Sequence, residues 1–389
     1  MLNTSGGAKT TMPLILLLFI TVYVTLQALF YIRVCAAFRP SPLVRRLILL
    51  GLMIPIFSPF WSRYLDHVGV EWPARLAGVA GYSWLVFVFW FACLSMLTFA
   101  WNLALKAVEL RVPSARRFQC PVRTSVVYSL AIIGAAFVWG WFEGQSIEIR
   151  EVFISTPRLE VSARPIRIAQ ISDMHLGKPR GTRFAERIAG LLNELNPDLV
   201  VSTGDLVDST SLADHPVADA LRTVQPRLGK VAVLGNHEYY TGLRESLVFH
   251  EASGFRVLRG ESVRVTPGLT LVGVDDDAAR YTGQGGVTDE IPALASVNPN
   301  DFIILLKHQP KISGRAVGCF DLQLSGHTHG GQVFPFGLLV RLVYRYRAGM
   351  FRLSDRSLLY VNKGTGVWGV PIRVMARPEI TVFILSPAE

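Results

Sequence analysis

The chain has 389 residues, half of them hydrophobic, with 39 basic against 29 acidic side chains and a formal net charge of +10. That length allows two domains, and the apolar excess asks for a membrane before it asks for a soluble core. The charge does not mark a nucleic-acid partner, because residues 1–142 carry 12 Lys and Arg against three acids (Asp66, Glu71, Glu109) while the other 247 carry 27 against 26.

Uncharged stretches run from Thr10 to Ile32, Leu47 to Ser62, Leu76 to Leu105 and Thr124 to Phe142. About 20 apolar residues cross a bilayer. Four spans are therefore expected, over about 10–32, 47–62, 78–101 and 124–142, with the second marginal. The first stretch is too long for an ordinary signal peptide and lacks a cleavage-like end, so it is expected to stay in the mature protein. Arg33, Arg39, Arg45 and Arg46 follow the first span, and Lys106, Arg111, Arg116, Arg117 and Arg123 lie between the third and fourth. With four crossings, the positive-inside bias puts both stretches in the cytoplasm of a bacterial-type inner membrane and the C-terminal domain outside it. Of the four cysteines, Cys35, Cys93 and Cys120 lie in or beside spans and Cys319 stands alone, which makes no disulfide framework.

After Phe142 the texture changes to short apolar runs broken by Gly, Pro and Asp, and the domain boundary is placed there, giving domains of 1–142 and 143–389. Ile147 to Ser155 alternates like an edge strand, and 157–165 reads as a connection. Runs of strand length follow at Ile166–Ser172, Leu199–Thr203, Val231–Leu234, Leu269–Val274, Phe302–Leu306 and Leu322–Leu324. Phe184–Leu195 and Val217–Val224 have helical spacing. The pattern predicts an α/β sandwich with mixed sheets behind an α-helical membrane region.

Polar residues of metal-ligand type stand directly behind five of these runs. They are Asp173 and His175; Asp205 and Asp208; Asn236, His237 and Glu238; His308; and His327 with His329. Strand ends of an α/β sheet are where loops converge on one crevice. Singly each motif is weak, but five of the chain's eight histidines fall in them; His67, His215 and His250 are read as structural or solvated.

Written out, the motifs are SDMHLG, TGDLVD, LGNHE, LKHQP and SGHTHGGQ. This ordered set resembles the calcineurin-like metallophosphoesterase superfamily over essentially residues 147–387. The tail LYVNKGTGVWGVPIRVMARPEITVFIL is similar to the YkuE/YaeI-type branch, which has membrane-anchored members. The resemblance implies the calcineurin-like phosphoesterase fold and two divalent ions, one held by Asp173, His175, Asp205 and His329 and the other by Asp205, Asn236, His308 and His327. It implies in-line attack by a metal-bridging hydroxide, with His237 as general acid oriented by Asp208. The mixed Asp, Asn and His set disfavours Ca²⁺ and Mg²⁺ and leaves Mn, Fe and Zn open. Gly204, Gly235 and Gly326 are expected to permit tight turns.

Three further features bear on substrate. Asp275, Asp276 and Asp277 read as a solvated turn or a substrate contact, and Lys178, Arg180 and Arg183 as a phosphate-receiving or merely basic loop. Gln332 to Arg347 mixes apolar residues with Arg341, Arg345 and Arg347, and reads either as a helix on its own core or as a segment in the bilayer interface. The leading expectation is a membrane-anchored hydrolase of a phosphodiester or pyrophosphate in a lipid-linked or envelope substrate, with membrane lipids as partners and no nucleic acid. A phosphomonoesterase or a UDP-diacylglucosamine-type pyrophosphatase is the alternative among enzymes. A non-catalytic membrane sensor or binding module is the alternative of another class.

Overall fold

The computed structural model describes residues 6–68, 70–160, 164–177, 181–208 and 216–388; Lys178, Arg180 and His215 lie outside them. The chain divides into a unit of residues 1–140 with 369–371 and a unit of residues 141–368 with 372–389.

The first unit is helical: α1 (Gly6–Phe38), α2 (Pro42–His67), α3 (Glu71–Glu109) and α4 (Val122–Gln145), the last running on into the second unit. Among the described residues three helices, not the expected four, are long and apolar enough to cross a membrane: Leu17–Phe38, Trp72–Glu109 and Val122–Gln145. The missing one is α2. Its uncharged stretch, the 16 residues between Arg46 and Arg63, extends only about 24 Å as helix, short of the roughly 30 Å hydrocarbon layer. Instead α2 pairs with α3, the Ser58 hydroxyl donating to Ala77 O and the Ser62 hydroxyl to Ala74 O. Phe30 of α1 packs edge-on against Trp84, Phe87 and Phe91 of α3, with ring centroids 4.9 to 5.5 Å apart.

The second unit has two mixed six-stranded sheets. Its strands are β1 (Glu148–Thr156), β2 (Ile166–Ile171), β3 (Leu199–Ser202), β4 (Lys230–Ala232), β5 (Arg256–Val257), β6 (Glu261–Thr266), β7 (Leu269–Gly273), β8 (Phe302–Leu306), β9 (Leu322–Ser325), β10 (Gly349–Arg352), β11 (Leu358–Val361) and β12 (Glu379–Pro387). One sheet runs β1-β12-β2-β3-β4-β5 and the other β10-β11-β9-β8-β7-β6. Strands β2 to β5 are mutually parallel, as are β7, β8, β9 and β11.

Alternation of side chains across each strand gives every sheet two apolar faces. Ile168, Val201, Val231, Ile304, Leu306 and Phe383 meet between the sheets. Ala169, Val200 and Ala232 point the other way, under α5 (Gly181–Leu195), α6 (Pro216–Arg222) and α8 (Leu243–Ala252). Ile303 and Leu305 face outward beneath α10 (Ile291–Ala295). Strands buried on both faces read as continuous apolar runs, and each of the six expected runs is a strand.

Two short helices, α7 (Asn236–Thr241) and α9 (Ala278–Tyr281), and α11 (Phe336–Val343) complete the unit. His250, on α8, is fully buried beside Phe249 and Phe255 and donates Nδ1–H to Ser246 O at 2.7 Å. Burial drives its pKa down to about 4, against the Ser246 bond that raises it. The folded pKa lies below the ordinary value, so the unfolded chain takes up this proton first. Stability is full above about pH 6.5 and is lost as pH falls toward 4. Acidification from about pH 7 to about pH 5 should lower the domain's unfolding temperature, and His250→Gln, which cannot titrate, should flatten that decline. An equally steep decline in the variant would assign the acid sensitivity elsewhere.

Candidate metal centre

The nine motif residues given a role as ligand or acid, Asp173, His175, Asp205, Asp208, Asn236, His237, His308, His327 and His329, come together at the C-terminal ends of β2, β3, β4, β8 and β9. Three groups of His and Asp have ligand atoms within 4.8 Å of one another: Asp173, His175 and His329; Asp205, His308 and His327; and His175, Asp208 and His237. The first two each contain three of the four residues that the resemblance implied for one ion, lacking Asp205 in the first and Asn236 in the second.

Asp205 stands between the two groups. Its Oδ1 accepts the His237 amide at 2.8 Å, while Oδ2 lies 3.2 Å from His308 Nε2 and 3.9 Å from His175 Nε2. One carboxylate oxygen thus faces one histidine from each group, as a bridging ligand requires. Asn236 Oδ1 lies 3.2 Å from His308 Nε2, and His329 Nε2 lies 3.5 Å from Asp173 Oδ1.

Hydrogen bonds on the far sides of the rings set the tautomers. His308 donates Nδ1–H to Thr203 O at 2.7 Å, and His175 donates Nδ1–H to Asp208 Oδ1 at 2.8 Å, so both turn an Nε2 lone pair toward the centre. His327 turns Nδ1 inward, 3.1 Å from His308 Nε2, while its Nε2–H donates to the Tyr344 hydroxyl at 2.8 Å; that hydroxyl donates in turn to Gln309 Oε1 at 3.0 Å. At His329 the buried Arg373 guanidinium donates to Nδ1 at 3.1 Å, leaving Nε2 as the protonated nitrogen, 3.0 Å from His175 Nε2.

The electrostatics fit a divalent pair. Burial pushes the Asp173 carboxyl up despite the His308 charge that opposes it, and the neighbouring Asp205 adds to the rise. Burial also pulls His327 down to about 3, helped by His308, and pulls His329 far down, helped by Arg373. Burial would lower His308 as well, but Asp205 overrides it and pushes the imidazole well up. The buried carboxylates thus draw positive charge to the centre, where a proton on His308 serves without an ion and a divalent cation would serve better, with His327 and His329 already neutral.

The backbone is strained at the same place. Among the described residues nine non-glycine residues have positive φ, and five of them are Asp173, Asp205, His175, His327 and His329. Such conformations cost about 1 kcal/mol or more each and concentrate at functional sites. Gly204 has φ +98°, as expected of a turn. Gly326 has no positive φ; a Cβ there would strike the Ser172 hydroxyl and the Asp173 carboxylate. Its requirement is close approach, not a turn.

His237 is half-buried, and Asp208 Oδ1 accepts its Nδ1–H at 2.8 Å. Burial opposes protonation, but Asp208 and Asp205 outweigh it and push the imidazole up to about 9. The same Asp208 oxygen also holds His175, so this carboxylate couples the expected acid to an expected ligand. Burial would raise Asp208, yet the two imidazoles keep it well below the usual carboxylate range.

Residues without a role in the motif reading complete the centre. The Glu238 carboxylate accepts the amides of Asp205, Leu206, Val207 and Gly235, clamping two strand-end loops together. Arg373 donates to the carbonyls of His329, Lys363 and Gly366. Asp275 and Asp276 form a turn, but a buried one. Asp275 accepts from Tyr239 at 2.6 Å and Arg259 at 3.0 Å, and Asp276 accepts from Gln309. Arg183 is exposed on α5.

A sequence model of the calcineurin-like phosphoesterase family matches residues 166–331. An uncharacterized metallophosphoesterase of Aquifex aeolicus is 37% identical over 261 residues, covering 67% of this chain and 98% of that protein. A transmembrane protein with metallophosphoesterase domain from Danio rerio is 34% identical over 318 residues, covering 78% of this chain and 71% of that protein. The uncharacterized metallophosphoesterase YkuE of Bacillus subtilis is 32% identical over 260 residues, covering 63% and 88%.

Proposed function

Because this chain belongs to the calcineurin-like metallophosphoesterase family, and so is a metal-dependent phosphoester hydrolase, we propose that it cleaves a phosphodiester or pyrophosphate bond of a lipid-linked substrate at a membrane. The carrying observation is the pair of ligand groups joined through Asp205. We assign one ion to Asp173, His175, Asp205 and His329 and the other to Asp205, Asn236, His308 and His327, with Mn, Fe and Zn all compatible with the donors. Two divalent ions so held supply polarisation of the phosphoryl oxygens and activation of water. His237, held protonated by Asp208, delivers its proton to the leaving oxygen, while Asp208 and Glu238 keep the acid and the shared carboxylate in place.

The membrane part of the proposal rests on the three long apolar helices and on relatives that are themselves transmembrane proteins. With α2 not crossing, Arg33, Arg39, Arg45 and Arg46 fall on the opposite face from Lys106, Arg111, Arg116, Arg117 and Arg123, so the two stretches pull the orientation in opposite directions. We keep the loop between α3 and α4 in the cytoplasm, because it stands one crossing before the catalytic unit, and so place that unit outside. A reporter fused after Phe142 that is active only in the cytoplasm would reverse this.

The deciding experiment strips the full chain with a chelator and reloads it with Mn, Zn or Fe. It is then offered an activated diester, a monoester and a lipid pyrophosphate. We expect activity to vanish on stripping, to return on reloading, and to favour the diester or pyrophosphate. Metals bound with no ester cleaved would leave a binding module.

A further inference from the structure

Helix α11 is built against the pattern of a surface helix. Phe334, Phe336, Leu338, Leu339, Leu342 and Val343 are all exposed, Leu342 by 82% and Val343 by 77%, and within the helix only Gly337 is buried. Long apolar side chains on a soluble surface are ordinary when scattered; a contiguous set on two helical turns marks a docking face. The helix is held closely from below. A Cβ on Gly331, at φ +85°, would strike the Gly337 backbone, a Cβ on Gly337 would strike the Arg347 guanidinium, and Arg347 donates to Gly330 O.

Along the chain the charge flanking this face has one sign, although the Asp276 and Asp277 carboxylates act on Tyr344 at its end. From Leu322 to Ser354 there is no carboxylate, while Arg341, Arg345, Arg347 and Arg352 lie within 12 residues. Arg341, Arg345 and Arg352 are exposed. Exposed apolar side chains followed in sequence by exposed arginines are complementary to a lipid surface, with the chains entering the acyl boundary and the guanidinium groups meeting headgroup phosphates. A second protein would have to bring its own acidic rim.

We propose that α11 is the domain's interfacial anchor, inserted into an anionic bilayer surface so that headgroup phosphates reach the metal centre. The proposal rests on the membrane-adjacent substrate reading above and names the surface that serves it. Tyr344, the residue that ends α11, sets the distance: its hydroxyl is 2.8 Å from His327 Nε2. A helix lying about 5–10 Å into the headgroup region therefore holds the centre at the level of the lipid phosphates. The position explains why an exposed apolar helix adjoins a polar site.

The test uses the full chain in nanodiscs of phosphatidylcholine and phosphatidylglycerol. Its four cysteines are replaced by Ala, and a polarity-sensitive dye is placed at Leu342→Cys or, as control, at Glu251→Cys, exposed on α8. Turnover of a soluble activated diester verifies that each labelled chain is folded, and Leu338→Cys serves if labelling at 342 disturbs it. We expect quenching by brominated lipid several-fold greater at 342 than at 251, together with protection from aqueous iodide. Iodide quenching equal to the control would show the helix facing water and overturn the proposal. Protection from both quenchers would show a protein covering it, a second copy included, and would also overturn it. Equal bromolipid quenching in discs of phosphatidylcholine alone would remove the anionic part. Quenching reads position, not turnover, so its failure leaves the phosphoesterase reading intact. Strong quenching in an enzyme that cleaves only soluble esters would sink the lipid substrate and keep the anchor.

Discussion

Asp205→Asn is expected to take the bound metal from two ions per chain to fewer than one and to lower phosphodiester hydrolysis by about a thousandfold or more, several kcal/mol of lost charge stabilisation. The substitution is chosen to keep the shape. Asn tolerates the left-handed backbone that Asp205 adopts at φ 52°, and its amide oxygen still accepts the His237 amide. What changes is the atom facing His175 and His308, a carboxylate oxygen in the native chain and an NH₂ in the variant. Two donors then point where a cation should be, and the negative charge shared by both groups is gone. Metal content by mass spectrometry is the direct readout. An unchanged unfolding temperature in chelator would show that the fold persists. Two metals retained would refute Asp205 as the shared ligand.

What the sequence made legible follows from where strands stop. The expected ligands stand immediately behind apolar runs, and in parallel sheets those ends share one edge, so Asp173, Asp205, Asn236, His308, His327 and His329 could be grouped before any coordinates. The supports could not be grouped in that way. Arg373 reaches His329 from 44 residues away, and Tyr344 reaches His327 from a helix whose exposure no periodicity reveals. Their pairing depends on how the last strands return, with β12 inserted between β1 and β2, and the apolar pattern of that region did not declare its partners. Edge strands β6 and β10 are half-exposed along their length, so neither produced an apolar run. The same counting that found three spans overcounted the fourth, because an uncharged stretch measures composition while a crossing needs length.

His237→Ala and Asp208→Asn should separate proton delivery from metal binding. His237 meets the centre through Asp208, its own backbone amide and an edge-on contact with the His175 ring, centroids 4.7 Å apart, and offers no nitrogen to an expected ion, so removing its imidazole should leave both ions bound. Turnover of an ester with a poor, alkyl leaving group should fall by about 10²–10⁴-fold, the range for loss of a general acid. An activated aryl ester, whose leaving oxygen needs no proton, should lose far less. Asp208→Asn should do more than mimic this. Its Oδ1 holds His175 as well as His237, each at 2.8 Å, so the amide disturbs the tautomer of a ligand along with the acid. We therefore expect Asp208→Asn to lower occupancy at the ion held by Asp173, His175 and His329 and to slow both esters, while His237→Ala slows only one. Equal losses on both esters in His237→Ala, with metals retained, would move His237 from proton donor to phosphate binder. Full metal content in Asp208→Asn would confine Asp208 to the acid alone.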